Sequence, residues 1–484
     1  MVRNEIKKII GNASVLIEKP GEKTHGDYST NIAMIISGKK NPREVAEKLV
    51  DKIKDNKMFE KVEIAGPGFI NFFISKEYLQ KQIKGILEKK EKYGSSKTGK
   101  GLKINVEFIS ANPTGPLTLG NGRGGFGGDV LSNILEKAGY NVAREFYIND
   151  RGKQIEDLKK GLYKGEKRTV SQIQKTNQKI ITKDMKIKFD VWFSEKSLYK
   201  NKEVDRVLAL LKKKKLTYGK DDALWFKSTK FGDDKDRVLI KGTGEEAYLL
   251  SDVAYLKNKF DRGFKKNIIF IGADHHGYIK RMKAVTEALG YKKEQLEFIV
   301  MQLVHLLEGK KEVRMSKRAG TYVTVNELIN EVGLDATRFF FLQRGSNSHL
   351  NFDLKLAKEK SSNNPVYYVQ YAYARICAVS HKSENFQFPI SNFQLLDKEE
   401  ELALIKQLVR FEEVVEDTVK DYQIQRIPQY AIDLAESFHR FYQSCQVIGE
   451  DKKLSSSRLA LVKATQIVLK NTLELMGISS PSKM

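Results

Sequence analysis

Three segments of the chain alternate apolar and polar positions as β-strands do: Lys103–Ile109, Val142–Ile148 and Asn267–Gly272. Each is flanked by stretches in which apolar residues recur every three or four positions, the spacing of amphipathic helices. Strands that alternate with helices favour a parallel sheet covered by helices on both faces. We therefore predict a doubly wound α/β domain over residues 102–345, whose ligands bind beyond the carboxyl ends of the strands.

The regions on either side of this domain carry other patterns. Residues 1–92 combine helical spacing at Pro42–Asp51 with strand-like alternation at Val62–Ile74 and a basic amphipathic helix at Lys76–Lys92, which predicts a small α+β domain. A linker rich in glycine, serine and lysine separates it from the central domain.

From residue 346 to residue 484 the spacing is helical almost throughout, which predicts an all-α bundle. The expected helices are 365–380, 399–420, 428–445 and 457–476. The first carries tyrosines at positions 367, 368, 371 and 373. Such a stripe more often belongs to a core than to a platform for stacked bases, and both interpretations stay open.

The first predicted strand runs into Asn112-Pro113-Thr114-Gly115-Pro116, which excludes helix and indicates a tight turn. Glycines crowd the stretch Gly120–Gly128, and a helix is expected from about Val130 to Ala138. Glycine allows close approach to a ligand, and the free N–H groups at a helix start stabilise an anion. By itself this pattern fits a tight connection as well as a phosphate site. A basic segment at Val313–Gly320 offers a second phosphate-binding element and favours the phosphate site.

Composition adds constraints on partners. The 484 residues carry a formal net charge of +24, so a polyanion would be attracted, although solvated surface lysines could account for part of the excess. The two cysteines, Cys377 and Cys445, exclude a disulfide framework and a cysteine-type zinc site, and they suit the cytoplasm. No run approaches the roughly 18 apolar residues of a membrane span. We expect about three domains and no membrane partner.

Several short sequence motifs, and the order in which they follow one another, resemble those of the arginyl-tRNA synthetases, a family of class I aminoacyl-tRNA synthetases. Besides the turn at 112–116 and the segment at 313–320, they are HGDYSTN (25–31), AGPGFIN (65–71), FGDDKDR (231–237), GADHHGY (272–278) and VYYVQYA (366–372). The resemblance covers nearly the whole chain. It implies an arginine–tRNA ligase with a Rossmann-type catalytic domain between a tRNA-corner-binding domain at 1–92 and an anticodon-binding domain at 346–484.

The resemblance also implies the reaction. ATP with Mg²⁺ activates L-arginine to arginyl-adenylate, which then passes to the 3' end of tRNA(Arg), and a monomer is expected. In-line attack on the α-phosphate needs donors and cations more than a nucleophile. We expect Lys317 to face the leaving pyrophosphate, with support from Arg314, Ser316 and Arg318. The expected ATP-binding residues are Pro113, Gly115, Thr118, Gly120, Asn121, Met315, Ser316 and Lys317.

The sequence departs from the family at its first signature. Where the family has His-x-Gly-His, this chain has Thr118-Leu119-Gly120-Asn121. Threonine and asparagine can still donate hydrogen bonds to phosphate oxygens, and the tryptophanyl branch of class I often carries Thr-Ile-Gly-Asn there. We therefore expect Thr118 and Asn121 to be catalytic. The stretch 151–189 also looks shorter than the helical insertion of family members.

For the amino acid, the resemblance implies five residues: Glu107, Asn112, Tyr248, Asp252 and His275. A guanidinium needs carboxylates and other acceptors that meet its planar fork. We expect Glu107 or Asn112 to bind the α-amino group, and Asp252 with Tyr248 to bind the guanidinium.

Three alternatives accompany this interpretation. Asp274-His275-His276 could suggest a metal site, but adjacent histidines on a strand point to opposite faces, so none is predicted. A dinucleotide site would use the glycine-rich turn with Glu145 as the ribose-binding acid. A synthetase-like paralogue could have lost tRNA charging and kept arginine or RNA binding, or ligation to another acceptor. The altered signature and the short insertion support that third alternative.

Overall fold

The protein is described by a computed structural model that covers residues 1–159, 168–273, 276–309, 311–312, 324–383 and 392–484. The N-terminal unit has a three-stranded antiparallel sheet in the order β1-β3-β2, with helices packed against it. Its elements are α1 (Val2–Ile10), β1 (Tyr28–Thr30), α2 (Ile32–Ile36), α3 (Pro42–Ile53), β2 (Phe59–Ala65), β3 (Phe69–Ile74) and α4 (Lys76–Lys89).

The central unit alternates strands and helices as the pattern predicted. Up to its second sheet, its elements are β4 (Lys103–Glu107), α5 (Leu119–Lys137), β5 (Asn141–Ile148), α6 (Lys153–Lys159), α7 (Val170–Lys179), β6 (Val191–Ser194), α8 (Glu195–Lys200), α9 (Glu203–Lys213), β7 (Thr217–Lys220), β8 (Ala223–Phe226) and β9 (Arg237–Ile240). They continue with α10 (Tyr248–Asp261), β10 (Lys266–Gly272), α11 (His276–Ala288), β11 (Leu296–Met301), β12 (Val304–Glu308), β13 (Lys311–Glu312), α12 (Val325–Val332), α13 (Leu334–Leu342), β14 (Leu350–Asp353) and α14 (Leu354–Lys358).

Five parallel strands form the main sheet, in the order β11-β10-β4-β5-β6. The first strand of the domain therefore lies in the middle, and the strand order reverses between β4 and β10, where a doubly wound sheet opens its ligand crevice. This confirms the predicted fold class. The sequence predicted three strands of this domain. It did not predict the edge strands β6 and β11 or the antiparallel sheet β7-β8-β9.

The glycine-rich stretch is helical, and here the prediction was wrong. Helix α5 begins at Leu119 and not near Val130, so the glycines lie inside it. They are there because the helix packs tightly on its surroundings: a Cβ on Gly128 would lie 2.2 Å from the Phe108 ring, and one on Gly122 would lie 2.5 Å from Val325. The close contact that glycine permits is with the protein itself.

The C-terminal unit is the expected helical bundle. Its helices are α15 (Pro365–Ser383), α16 (Glu399–Val409), α17 (Phe411–Asp421), α18 (Arg426–Ser444) and α19 (Lys452–Met476). The predicted helix 399–420 is two helices, since the chain turns at Arg410 between α16 and α17. Among the described residues, none of the helices is both long and apolar enough to cross a membrane.

The N-terminal unit contacts the bundle through charges. The Arg3 guanidinium pairs with Glu416 at 3.0 Å and with Asp417 at 2.8 Å, while its backbone N–H donates to Glu413 at 2.9 Å. The Tyr28 hydroxyl donates to the same Glu413 carboxylate at 3.1 Å. Helix α17 thus presents an acidic face that holds the first helix and the first strand of the chain.

Candidate active site

The chain leaves the central strand β4 through a strained turn. Ile109 and Ser110 both have positive φ angles, 66° and 38°, a conformation that non-glycine residues adopt only when surrounding contacts require it. The Ser110 hydroxyl donates to Glu107 at 3.1 Å and accepts the Tyr147 N–H at 3.1 Å. These bonds hold the turn against the ends of β4 and β5, at the edge where ligands are expected.

Thr118 and Asn121, the two residues that replace histidines, cap helix α5 together. The Thr118 hydroxyl and backbone N–H both donate to Asn121 Oδ1 at 2.9 Å, and the Asn121 N–H donates to Thr118 Oγ1 at 3.3 Å. This reciprocal pair is a capping box. Because the Asn121 oxygen faces Thr118, its Nδ2 group remains as a donor with no partner among the described residues. The signature therefore presents an amide donor at a helix N-terminus, where anions are stabilised.

Thr324 and Val325, which follow the second basic segment in the sequence, lie beside this cap. Thr324 forms an antiparallel bridge with Thr118, and the Val325 N–H donates to the Leu117 carbonyl at 3.1 Å. Thr324 also caps α12 through its own reciprocal bonds with Glu327. The starts of α5 and α12 therefore meet. The predicted residues Arg314, Met315, Ser316, Lys317 and Arg318 lie outside the described residues, in the segment that ends at this bridge.

Two carboxylates converge next to the turn, on the β5 side of the sheet. Asp252 lies near the start of α10 and accepts a hydrogen bond from the Tyr278 hydroxyl. Burial, with the charges of Glu195 and Glu107, raises the pKa of Asp252 to about 7. Burial and the charge of Asp150 also raise the pKa of Glu195, the first residue of α8. Carboxylates that repel one another in a crevice favour a cationic ligand, and a guanidinium fits this requirement.

The other residues predicted for arginine occupy different settings. Glu107, at the end of β4, forms a buried ion pair with Lys259 at 2.5 Å. Asn112 accepts a hydrogen bond from the Asn149 side chain at 2.5 Å, in an exposed position. Tyr248 opens α10 and is 74% exposed, so it lies at the rim of the crevice. His275 lies outside the described residues.

Of the alternatives, the dinucleotide site finds no support in the described part of the chain, and Asp274 and His275 of the possible metal site lie outside it. Glu145, the acid that a dinucleotide site would need for the ribose, is fully buried. Its carboxylate is occupied by Arg262 at 2.6 and 2.9 Å and by the Tyr255 hydroxyl at 2.5 Å. Among those residues, no three His, Cys, Asp or Glu side chains come together as a metal site.

A second candidate surface lies on the bundle, formed by the exposed Tyr371 of α15 and Tyr442 of α18 with the half-buried Tyr367 and Arg375 of α15. The rings of Tyr367 and Tyr371 lie nearly parallel with centroids 6.2 Å apart. The Arg375 guanidinium lies 4.7 Å from the Tyr371 ring and 5.1 Å from the Tyr442 ring. Tyr373, by contrast, is buried. The tyrosine stripe is thus divided between core and surface, and we call its exposed part the aromatic surface.

Family models match nearly the whole chain. Residues 1–74 match the arginyl tRNA synthetase N terminal domain, and residues 369–484 match the DALR anticodon binding domain. Residues 82–189 and 160–347 match the catalytic domain of class I (R) tRNA synthetases. The arginine–tRNA ligase of Bacillus velezensis is 46% identical over 97% of this chain and 94% of its own length. The chain belongs to the arginyl-tRNA synthetases.

Other relatives agree with this assignment. The arginine–tRNA ligase of Bacillus subtilis is 45% identical over 97% of the chain and 94% of its own length. The structure of the Thermus thermophilus arginyl-tRNA synthetase, at 19% identity, covers both chains completely with a TM-score of 0.83 and supports the fold. The chain is therefore a member of a family of aminoacyl-tRNA ligases, as the resemblance implied.

For an arginyl-tRNA synthetase, the chain is shorter than the relative described first. Its alignment with the Bacillus velezensis ligase spans 525 residues, more than the 484 present here, so that relative carries segments that this chain lacks. The two catalytic-domain matches overlap at 160–189, within the stretch where the shortened insertion is expected.

Sequence reasoning missed two side chains of this synthetase's crevice, Glu195 and Tyr278. Glu195 directly follows the strand β6, and a carboxylate at the carboxyl end of a parallel strand was a usable signal. That strand was not predicted, because its four residues lie in a stretch with weak alternation. Tyr278 ends the string at 272–278 but carries no charge that would have singled it out.

Proposed function

We propose that the chain activates L-arginine with ATP to arginyl-adenylate and transfers the arginyl group to the 3' end of tRNA(Arg). The observation that carries this proposal is the group of carboxylates around Asp252 and Glu195, in a chain of this family whose helix α5 starts with a capping box. Condensation of arginine with ATP requires both a site for a cation and a site for phosphate anions.

The ATP side uses the start of α5 and the second basic segment. Gly120 offers its backbone N–H and Asn121 its Nδ2 group at the helix start, and Pro113 and Gly115 shape the turn before it. Thr118 holds the Asn121 amide so that its Nδ2 group can donate to a phosphate oxygen, which takes over part of the role of the missing imidazoles. Met315, Ser316 and Lys317 complete the site, with Lys317 facing the pyrophosphate.

Mg²⁺ binds together with ATP. No cluster of three possible ligands exists among the described residues, and Mg²⁺ commonly keeps its waters and binds substrate phosphates. The ion supplies charge neutralisation on the phosphate oxygens. The residues around Thr118 fit a metal-bound triphosphate because they contribute donors and no carboxylate.

The arginine side uses the crevice. Asp252 and Glu195 accept the guanidinium, with Tyr278 fixing the Asp252 carboxylate and Tyr248 closing the rim. Glu107 and Asn112 face the α-amino end, nearest to the turn. His275 remains a proposed contact from the family resemblance.

The tRNA contacts the outer domains. We assign residues 1–92 to the corner of the tRNA, 102–345 to catalysis and 346–484 to the anticodon. The aromatic surface supports the last assignment, because exposed tyrosines interleaved with an arginine are suited to stacking unpaired bases. The proposed form is a monomer that binds one tRNA.

The test is transfer of labelled arginine to total tRNA with ATP and Mg²⁺. We expect the native chain to charge tRNA, and Lys317→Ala to lose about 100-fold or more in kcat because a cation at the leaving pyrophosphate is missing. A double variant, Thr118→His with Asn121→His, examines the altered signature.

Charging by the native chain that survives in the double variant supports Thr-Leu-Gly-Asn as a working signature. If only the double variant charged tRNA, the chain would be a synthetase-like paralogue retired from charging. Its substrate would then be sought among other acceptors of arginine.

A further inference from the structure

Helix α10 carries a buried lysine, Lys259, that forms an ion pair with Glu107 and whose charge also acts on Glu145. Lys259 has no exposed surface, and its Nζ lies 2.5 Å from Glu107 Oε2 and 4.5 Å from the Tyr255 ring centre. The other Glu107 oxygen accepts the Ser110 hydroxyl at 3.1 Å. Both oxygens of this carboxylate are therefore oriented by the protein.

The Glu107 carboxylate also acts on the crevice. Its charge contributes to the raised pKa of Asp252 and to the raised pKa values of Tyr147 and Tyr278, so it faces the space that these side chains share. The charged and titratable groups around that space come from five elements. They are Glu107 on β4, Glu145 and Tyr147 on β5, Glu195 on α8, Asp252, Tyr255 and Lys259 on α10 with Arg262 at its end, and Tyr278 and Arg281 on α11.

A buried ion pair is weak support for stability, because taking both charges out of water costs about as much as their attraction returns. Directly after this helix, Arg262 forms a part-buried ion pair with Glu145, which already fixes the end of α10 to β5. Lys259 therefore lies where it changes the charge and orientation of a substrate-facing carboxylate. A third acid so close to Asp252 and Glu195 would otherwise add to their repulsion.

We propose that Lys259 is a positioning residue of the arginine site, which orients Glu107 toward the α-amino end and limits the negative charge beside Asp252. The inference rests on the proposed function, since it assumes that arginine occupies the crevice. With Lys259 in place, the crevice offers two carboxylates to the guanidinium and one lysine-paired carboxylate to the amino end.

Removing Lys259 has two consequences. The Glu107 side chain loses its fixed orientation, so arginine binds more weakly at every pH. The uncompensated charge of Glu107 also disfavours ionisation of Asp252, so its pKa rises further above 7 and the affinity for arginine falls off at a higher pH. A purely structural lysine would affect folding without moving this pH profile.

The experiment measures the Kd for arginine by calorimetry between pH 6 and 9, in the presence of tRNA, with charging activity measured beside it. We expect Lys259→Met to raise the Kd for arginine about tenfold or more. The acidic limb, which is the pH range in which the affinity for arginine falls as the pH drops, should move upward by about half a pH unit or more. Lys259→Arg should leave the acidic limb at the same pH as in the native chain. The control is Lys257→Met, which breaks an ion pair with Asp261 on the exposed side of α10.

A double variant, Lys259→Met with Glu107→Gln, keeps the test decisive if the single variant fails to fold. We expect the neutral pair to fold, since no buried charge is left alone, to return the acidic limb to the native pH or below it, and still to bind arginine weakly. Native affinity in Lys259→Met, or an unmoved limb in both variants, would overturn the inference. If the native chain charged tRNA and these variants bound arginine normally, the proposed function would stand and this inference alone would fail.

Discussion

Asp252 lies half-buried beside Glu195, with its pKa raised to about 7, so an ionised carboxylate there opposes folding. For an acid whose folded pKa exceeds the unfolded value, the penalty is absent below the unfolded pKa of about 4 and complete above pH 7. The same charge is what a guanidinium needs. At the scale of the residue, the ionised Asp252 carboxylate therefore lowers the free energy of unfolding while it provides the charge proposed for binding arginine.

We expect Asp252→Asn to lower kcat/KM for arginine about 100-fold or more, because a neutral amide replaces the charge that meets the guanidinium. The same variant should raise the free energy of unfolding by about 1–3 kcal/mol at pH 8 and by little at pH 4. Charging assays and urea unfolding at both pH values measure the two effects. A loss of stability at pH 8 would contradict the argument.

In the native chain, kcat/KM for arginine should fall as pH drops through about 7, because the free enzyme then carries a protonated Asp252. The limiting slope is up to about tenfold per pH unit. A profile that is flat between pH 6 and 8 would mean that another group binds the guanidinium. The Asp252→Asn variant should lack this limb, which makes it the control.

At the scale of the element, α5 connects the signature to the sheet. Its start is capped by Thr118 and Asn121, and its glycine-lined face lies against Phe108 and Val325. Glycine is a poor helix former, so the helix exists because of its packing and its cap. The sequence signalled something unusual between Gly120 and Gly128 but could not tell a ligand from a neighbouring side chain.

Two glycines of α5 make a matched pair. Gly128→Ala places a Cβ 2.2 Å from the Phe108 ring and should cost about 1–3 kcal/mol of unfolding free energy. Gly124→Ala meets no atom within 4 Å and should add about 0.5–1 kcal/mol, because alanine favours the helix. Urea unfolding of both variants decides this. Equal effects would mean that helix propensity alone, and not contact with Phe108, sets the outcome.

At the scale of the whole molecule, Arg338 of α13 joins units that are distant in sequence. It is 1% exposed and donates to Asp129 of α5 and to the Met476 carbonyl at the end of α19, both at 2.8 Å. It also donates to the Met185 carbonyl at 3.0 Å. The helix that starts at the signature and the last helix of the bundle therefore share one buried guanidinium.

We expect Arg338→Met to lower the free energy of unfolding by about 2–4 kcal/mol, since it leaves Asp129 and the Met476 carbonyl without their donor. Arg144, 3.9 Å from Asp129, offsets part of that loss. Arg440→Met, which breaks an exposed pair with Glu436 on α18, is the control and should change stability by less than about 0.5 kcal/mol. Thermal melting of both variants distinguishes them.

The sequence by itself determined the order of the units, the parallel sheet and the helical bundle, because these follow from local hydrophobic periodicity. Its motifs also indicated Thr118, Asn121 and Asp252 as site residues, and these remain proposals for experiment. The tertiary structure decided that α5 absorbs the glycines, that Glu195 and Tyr278 join Asp252, and that Lys259 pairs with Glu107. Those are contacts between residues 20 or more positions apart, and local pattern carries no information on which buried groups will meet.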